Sequence, residues 1–241
     1  MRKIAFLLLI PVVGFSQAKK GKLVWEENFN GKSLDEKVWN FELGDHGWGN
    51  HERQMYTANN HVVKDGMLII TAKKEGDKYT STRITTAGKK EFKYGYMEAS
   101  AKLPVGKGIW PAFWMLGSNI GKVGWPMAGE IDILEYVGGE PHMVFTSLHT
   151  KDSHGNTVNT RKTNFENIEE GFHLYAVNWT ADKIEFFVDD KPVYTFVPRD
   201  KSEEVWPFDQ PFYFLLNVAV GGDFGGPEVD DSIFPQQFII D

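Results

Sequence analysis

Gly129-Glu130-Ile131-Asp132-Ile133-Leu134-Glu135-Tyr136-Val137 is the stretch on which the reading of the fold turns. A strand alternates its side chains between two faces. Glu130 and Asp132 therefore point one way, and Ile131 and Ile133 point into a core. Simple alternation would place the next acid at 134, but that position is Leu134 and the acid comes one residue later. Two readings are open. In a regular strand Glu135 faces the core with the isoleucines, where an unpaired carboxylate costs several kcal/mol or titrates far above its usual range. In a bulged strand one extra residue returns Glu135 to the face of Glu130 and Asp132. The burial cost favours the bulge. Three carboxylates then share one face with no basic residue close in sequence, and their repulsion raises the pKa of at least one of them. A general acid working near neutral pH needs such a shift.

Outward from this stretch the chain has an all-β pattern. Met67–Ala72, Tyr94–Leu103, Pro111–Gly117, His142–His149, Phe172–Trp179, Lys183–Val188, Pro192–Phe196 and Pro211–Val220 read as strands. Gly, Pro and Asp turns separate them, Asp189-Asp190 being a tight hairpin turn. Leu23–Phe29 reads as a first strand, Trp39–Leu43 as a short one and Tyr79–Thr86 as another. Helical periodicity is nearly absent. About a dozen short strands with glycine-rich turns predict a β-sandwich.

The 241 residues include 26 basic and 33 acidic ones and no cysteine. A net charge of -7 argues against nucleic acid as a partner. The seven histidines form no spaced metal motif. Arg2-Lys3, the apolar run Ile4–Val13 and then Gly14–Ala18 have the layout of an export signal over residues 1–18. The competing readings are an uncleaved membrane anchor and a buried first strand, but the run is short for a span of about 20 residues. Without a cysteine a lipoprotein anchor is excluded. The expectation is a secreted or periplasmic protein with no membrane anchor after cleavage, and one domain over 19–241. Pro235–Asp241 reads as a strand that has only begun, so the last strand looks truncated.

Several longer motifs accompany the acids: Gly47-Trp48-Gly49-Asn50-His51-Glu52-Arg53-Gln54-Met55-Tyr56, Tyr94-Gly95-Tyr96-Met97-Glu98, Trp110-Pro111-Ala112-Phe113-Trp114-Met115-Leu116-Gly117 and Asn217-Val218-Ala219-Val220-Gly221-Gly222. With Glu130-Ile-Asp132-Ile-Leu-Glu135, these resemble the bacterial endo-β-glucanases of glycoside hydrolase family 16, in particular the laminarinase-like members, over nearly the whole chain. The resemblance implies a jelly-roll sandwich with a substrate cleft across its concave face and cleavage of β-1,3 linkages by a retaining mechanism. It makes Glu130 the nucleophile, Glu135 the acid and then the base, and Asp132 their neighbour in protonation, with His149 beside them. It implies a neutral polysaccharide substrate, a monomer, no cofactor for catalysis, and in some members a structural calcium. Backbone oxygens near Glu27 and Gly66 and the Asp241 carboxylate would hold that ion.

Sugar rings have apolar faces and polar edges. Trp48, Trp110, Trp114 and Trp125 could therefore line the cleft, and Asn50, Glu52, Gln54, Arg83 and Asn217 could bind hydroxyls. Each has a plainer reading: Trp114 as core, Trp110 as a strand-end plug, Arg83 as an ion-pair partner, His149 as a satisfied core histidine. Trp25, Trp39, Trp179 and Trp206 read as packing residues. Gly221–Gly226 lacks the Lys-Ser/Thr ending of a phosphate loop and reads as a surface turn near the cleft mouth. The rival functions are the same fold acting on mixed-linkage glucan or an algal galactan, a non-catalytic carbohydrate-binding sandwich, and a structural surface protein.

Overall fold

Runs of β-branched and aromatic residues with period-two alternation fold here as strands, because each buries one row of side chains against a second layer. The structure, a computed structural model, describes residues 20–241. The export signal expected over residues 1–18 lies outside the described residues.

In chain order the strands are β1 Asn40–Glu42, β2 Gln54–Tyr56, β3 His61–Lys64, β4 Met67–Glu75, β5 Lys78–Ser81, β6 Arg83–Thr85, β7 Glu91–Phe92, β8 Gly95–Lys102 and β9 Ile109–Gly117. They continue as β10 Glu130–Tyr136, β11 Met143–His149, β12 Arg161–Asn164, β13 His173–Trp179, β14 Ile184–Val188, β15 Lys191–Phe196, β16 Phe212–Val220 and β17 Gln236–Ile240. Two sheets result. One has the order β1-β6-β16-β9-β10-β11-β12, with β7 alongside β16. The other has the order β15-β14-β13-β8-β17-β4-β5-β2, with β3 on β4. Neighbours are antiparallel except β2 and β5. The chain crosses repeatedly between layers, giving a β-sandwich of jelly-roll type.

The core lies between the sheets. From the first come Phe113 and Met115 of β9, Ile131, Ile133 and Leu134 of β10, and Phe212, Phe214, Leu216, Val218 and Val220 of β16. The second sheet contributes Leu68 and Ile70 of β4, Tyr175, Val177 and Trp179 of β13, Phe186 of β14, and Phe238 and Ile240 of β17. Each large aliphatic or aromatic side chain so buried contributes about 1.5–3 kcal/mol. Asp189 and Asp190 both take positive φ, as the expected hairpin turn requires. Trp39, Trp179 and Trp206 are buried packing residues, and Trp25 stacks on Phe214 with Phe92 tilted against it.

Two expectations need correction. Leu23–Phe29 is not a strand: Leu23 and Val24 are exposed, Phe29 has φ 44°, and its N–H donates to Glu27 Oε1 in a local turn. Tyr79–Thr86 is two strands, parted where Thr82 Oγ1 donates to the Thr57 carbonyl. β17, Gln236–Ile240, is an inner strand of its sheet. It lies between β4 and β8, matched to β4 from Gln236↔Ala72 to Ile240↔Leu68 and to β8 at Ile239↔Lys102 and Ile240↔Ala101.

Candidate active site

The irregularity expected in the acidic strand is present. Against β11, Asp132 faces Ser147 and Glu135 faces Phe145, three steps on one strand for two on the other. Against β9, Asp132 faces Trp114 and Leu134 faces Phe113, again one residue in excess on β10. Ile133 and Leu134 both enter the core, and Glu135 rejoins the face of Glu130 and Asp132. That face continues sideways through Ala112 to Asn217 and Arg83, following the cross-strand registers.

Each acid has its own partner. Trp110 Nε1 donates to Glu135 Oε1 at 3.1 Å, and Ser147 Oγ stands 3.5 Å from Glu135 Oε2. Trp125 Nε1 donates to Glu130 Oε2 at 2.9 Å. His149, directly across from Glu130, holds Nε2 3.2 Å from Asp132 Oδ2 and 3.9 Å from Glu130 Oε1. Burial is the first cause of their titration. It pushes Glu130 up to about 8, with the Asp132 charge adding to the shift and His149 and the Trp125 N–H opposing it. Asp132 is also raised by burial, against a hydrogen bond shared with Glu130. Glu135 is raised well above the carboxylate range by burial and then by the Asp132 charge; His149 and the Trp110 N–H pull it back. The site can hold a proton near neutral pH and deliver it.

Beside the acids runs an ordered aromatic wall. The Arg83 guanidinium lies 4.7 Å from the Trp48 ring centroid and 4.9 Å from that of Trp114, a cation between two tryptophans, and its Nε also pairs with Glu42. Trp114 Nε1 donates to Asn217 Oδ1 at 2.8 Å, and Asn217 Nδ2 donates to Tyr56 Oη at 3.1 Å. Tyr56 Oη in turn donates to Glu52 Oε2 at 3.1 Å. Asn50 and Gln54 also donate to the Glu52 carboxylate. Burial raises Glu52, against these hydrogen bonds and the charge of Arg83.

A family model for glycosyl hydrolases family 16 matches residues 49–230. The chain belongs to this family. It is 40% identical to a beta-glucanase of Rhodothermus marinus, over all of this chain and 93% of that one. It is 39% identical to a glucan endo-1,3-beta-glucosidase of Cryptopygus antarcticus, over 96% and 92%. A crystal structure of laminarinase from Flavobacterium sp. UMI-01 superposes with a TM-score of 0.91 at 72% identity, covering 91% of this chain and 97% of that one.

Within this family 16 site the expected residues do not all stand where a sugar could reach them. Trp125 is 47% exposed beside Glu130, and Trp114 is half-buried on the acid-bearing face rather than in the main core. Trp110 is no strand-end plug; its ring is buried and its N–H serves Glu135. Arg83 is both an ion-pair partner and part of the wall. Gln54 does not face the cleft. It is fully buried, donating to Glu52 and accepting from Val220 N at 2.7 Å. Glu52 and Asn217 are nearly as buried and act within the network just described. Phe224 was not foreseen. It sits in a single helical turn, Gly222–Gly225, and meets both Trp110 and Phe145 edge-on. Its glycine-rich surroundings carry no signal for an aromatic wall.

The residues expected around calcium converge on one end of the second sheet. An added Cβ on Gly66 would lie 3.8 Å from the Asn28 carbonyl, and Asp241 follows Ile240, which faces Leu68. The Glu27 carboxylate accepts from Phe29 N and Trp39 Nε1, so only its backbone oxygen matches the expected role. Carbonyls with one carboxylate are the donors that calcium prefers.

Proposed function

We propose that this glycoside hydrolase cleaves internal β-1,3-glucosidic bonds of laminarin-like glucans by retaining double displacement. The observation that carries the reading is the bulge that returns Glu135 to the face of Glu130. A plain sugar-binding surface has no use for three adjacent buried acids, each costly to ionise.

In this mechanism Glu135 gives its proton to the glycosidic oxygen while the Glu130 carboxylate attacks the anomeric carbon. The carbon–oxygen bond breaks and the leaving chain departs as an alcohol. Glu135, now ionised, takes a proton from water. That water attacks the glycosyl ester and frees Glu130. Glu135 is suited to hold the proton, because burial and the Asp132 charge raise it well above the carboxylate range against the Trp110 N–H. Glu130 must be ionised to attack: burial and the Asp132 charge hold it up at about 8, and the Trp125 N–H and His149 are the groups that pull it back toward the carboxylate form. Asp132 shares a proton with Glu130 and keeps the pair from ionising together. Trp48, Trp114 and Trp125 offer ring faces, with Arg83 and Asn50 supplying polar edges.

The same reading makes residues 1–18 an export signal and residues 19–241 one catalytic unit, acting as a monomer in the periplasm or outside the cell. Among the described residues no helix is long and apolar enough to cross a membrane. A structural calcium held by the Asp241 carboxylate and backbone oxygens near Glu27 and Gly66 would tie the Glu27 segment and Asp241 to the β3–β4 turn and take no part in the chemistry.

Product analysis on laminarin, mixed-linkage glucan, agarose and carrageenan tests the proposal. Laminarin should yield a ladder of short oligosaccharides whose new reducing ends are first seen by NMR as the β-anomer. A preference for either galactan would overturn the substrate, and an initial α-anomer would overturn the mechanism.

A further inference from the structure

We propose that Glu130, Asp132 and His149 together form a binding site for a divalent transition-metal ion, of which zinc is the representative, and that the ion excludes substrate. One ligand atom from each residue lies within 4.8 Å of the other two. In a tetrahedral zinc site with bonds of about 2.0–2.2 Å, neighbouring ligand atoms stand roughly 3.3–3.6 Å apart. His149 Nε2 is 3.2 Å from Asp132 Oδ2 and 3.9 Å from Glu130 Oε1, so small side-chain rotations complete three corners.

A second observation points into the same space. Asp132 is 3% exposed, yet its Oδ2 receives no aligned hydrogen bond, and the one polar group facing it is His149 Nε2 at 3.2 Å. A buried carboxylate oxygen without an aligned donor is costly, and an ion shared with His149 Nε2 at this position would relieve it. Trp125 occupies Glu130 Oε2 and leaves Oε1 for the ion. Among the described residues no lysine or arginine pairs with any of the three. The His149 and Glu130 side chains keep 13% and 17% of their surface open, so the groove gives an ion access and the fourth corner faces solvent.

One imidazole with two carboxylates suits zinc, whereas magnesium and calcium prefer oxygen donors alone. Affinity has a built-in limit. His149 Nδ1 has no partner, and an outer hydrogen bond on a ligating histidine is worth 10–100-fold in typical sites. An ion here would cover the nucleophile, so zinc and glucan would compete for one place.

The test is calorimetric titration of zinc chloride into chelator-treated, dialysed protein in a non-coordinating buffer. One ion per chain is expected, bound at least 10-fold more weakly by Asp132→Asn and by His149→Asn. His51→Asn, which alters the exposed His51–Asp223 pair, should bind as the parent does. Cobalt should give the intense visible absorption of a tetrahedral site in the parent chain, so the proposal does not depend on how well the variants fold. With laminarin, zinc should raise the apparent KM and leave the extrapolated kcat unchanged. Undiminished zinc affinity in both site variants, a cobalt spectrum of the hexaaqua kind, or stoichiometric zinc without any effect on KM would each overturn the proposal. Calorimetry and the cobalt spectrum need no turnover, so failure of the laminarinase reading itself would appear separately.

Discussion

Trp110 donates its indole N–H to Glu135 across 3.1 Å, inside a layer where both side chains are almost fully buried. It is the single indole contact of the carboxyl proposed to hold and release the proton. A hydrogen bond to a charged group contributes about 1.5–3 kcal/mol. Trp110→Phe keeps an aromatic against Phe224 and removes the donor. We expect kcat on laminarin to fall roughly 10–100-fold with KM little changed. Because the N–H lowers the Glu135 pKa, the alkaline limb of the kcat–pH profile should move to higher pH in the variant. A limb that stays in place would show that this contact does not tune the acid.

Glu130→Gln and Glu135→Gln should each lower kcat by at least about 10²–10⁴-fold, the range of a lost acid–base or nucleophilic group, while circular dichroism stays that of the parent. Near-parental turnover in either purified variant would remove that residue from the mechanism. Azide should restore cleavage to a Glu130→Ala variant with inversion at the anomeric carbon, which NMR of the product can read.

Stability should depend on pH in a direction opposite to that of most acid-rich proteins. Glu130 in the folded chain is raised to about 8 from an ordinary value of 4.5. Between those values the folded state holds a proton that the unfolded state has lost. Its contribution is therefore complete below about 4.5 and disappears as pH rises through about 8. The melting temperature of the parent should fall across this window, and the Glu130→Gln variant should fall less. Each 1 kcal/mol corresponds to about 2–4 °C for a chain of this size. Equal slopes for the two proteins would show that burial of Glu130 is not linked to stability.

The acidic strand was legible because its spacing broke a period of two, and only one physical remedy keeps Glu135 out of the core. The long strands were legible for the same reason, since Ile131, Phe113 and Val177 repeat on one face. Leu23–Phe29 was misread because apolar composition alone does not supply a pairing partner, and Phe29 turns the chain. Gln54 was misplaced because its acceptor role depends on Val220, 166 residues away. Short polar strands at the rim of a sheet look alike in sequence whether their amides face sugar or seal a network. Phe224 went unseen because a glycine-rich turn says nothing about the one ring it carries.

The cation between Trp48 and Trp114 should matter more to binding than to chemistry. Each stacked contact is worth about 0.5–2 kcal/mol. Arg83→Met keeps the length of the stem and removes the planar charge, so the two rings lose their spacer. We expect KM for laminarin to rise about 5–30-fold, the equivalent of one to two such contacts, with kcat within a few-fold of the parent. A fall in kcat at constant KM would place Arg83 in the acid chemistry instead.

Gln54 links two parts of the fold, and its replacement should weaken the wall from beneath. Its amide oxygen takes the Val220 N–H at the end of β16, and its amide nitrogen holds Glu52, which anchors Tyr56 and through it Asn217 and Trp114. Gln54→Leu has similar volume but leaves the Val220 N–H and one Glu52 oxygen without that partner. Each such loss costs about 1–3 kcal/mol in a buried place, so the two together should lower the melting temperature by roughly 4–24 °C. Glu52, relieved of a donor that favours its charge, should protonate more readily, and KM should rise as pH falls. Gln54→Glu is the sharper variant. It sets a second carboxyl beside Glu52 in a buried pocket, where two like charges cannot both persist, and its destabilisation should therefore grow as pH rises from 5 to about 8. A Gln54→Leu protein as stable as the parent, with an unaltered KM–pH profile, would mean that the aromatic wall stands without this network.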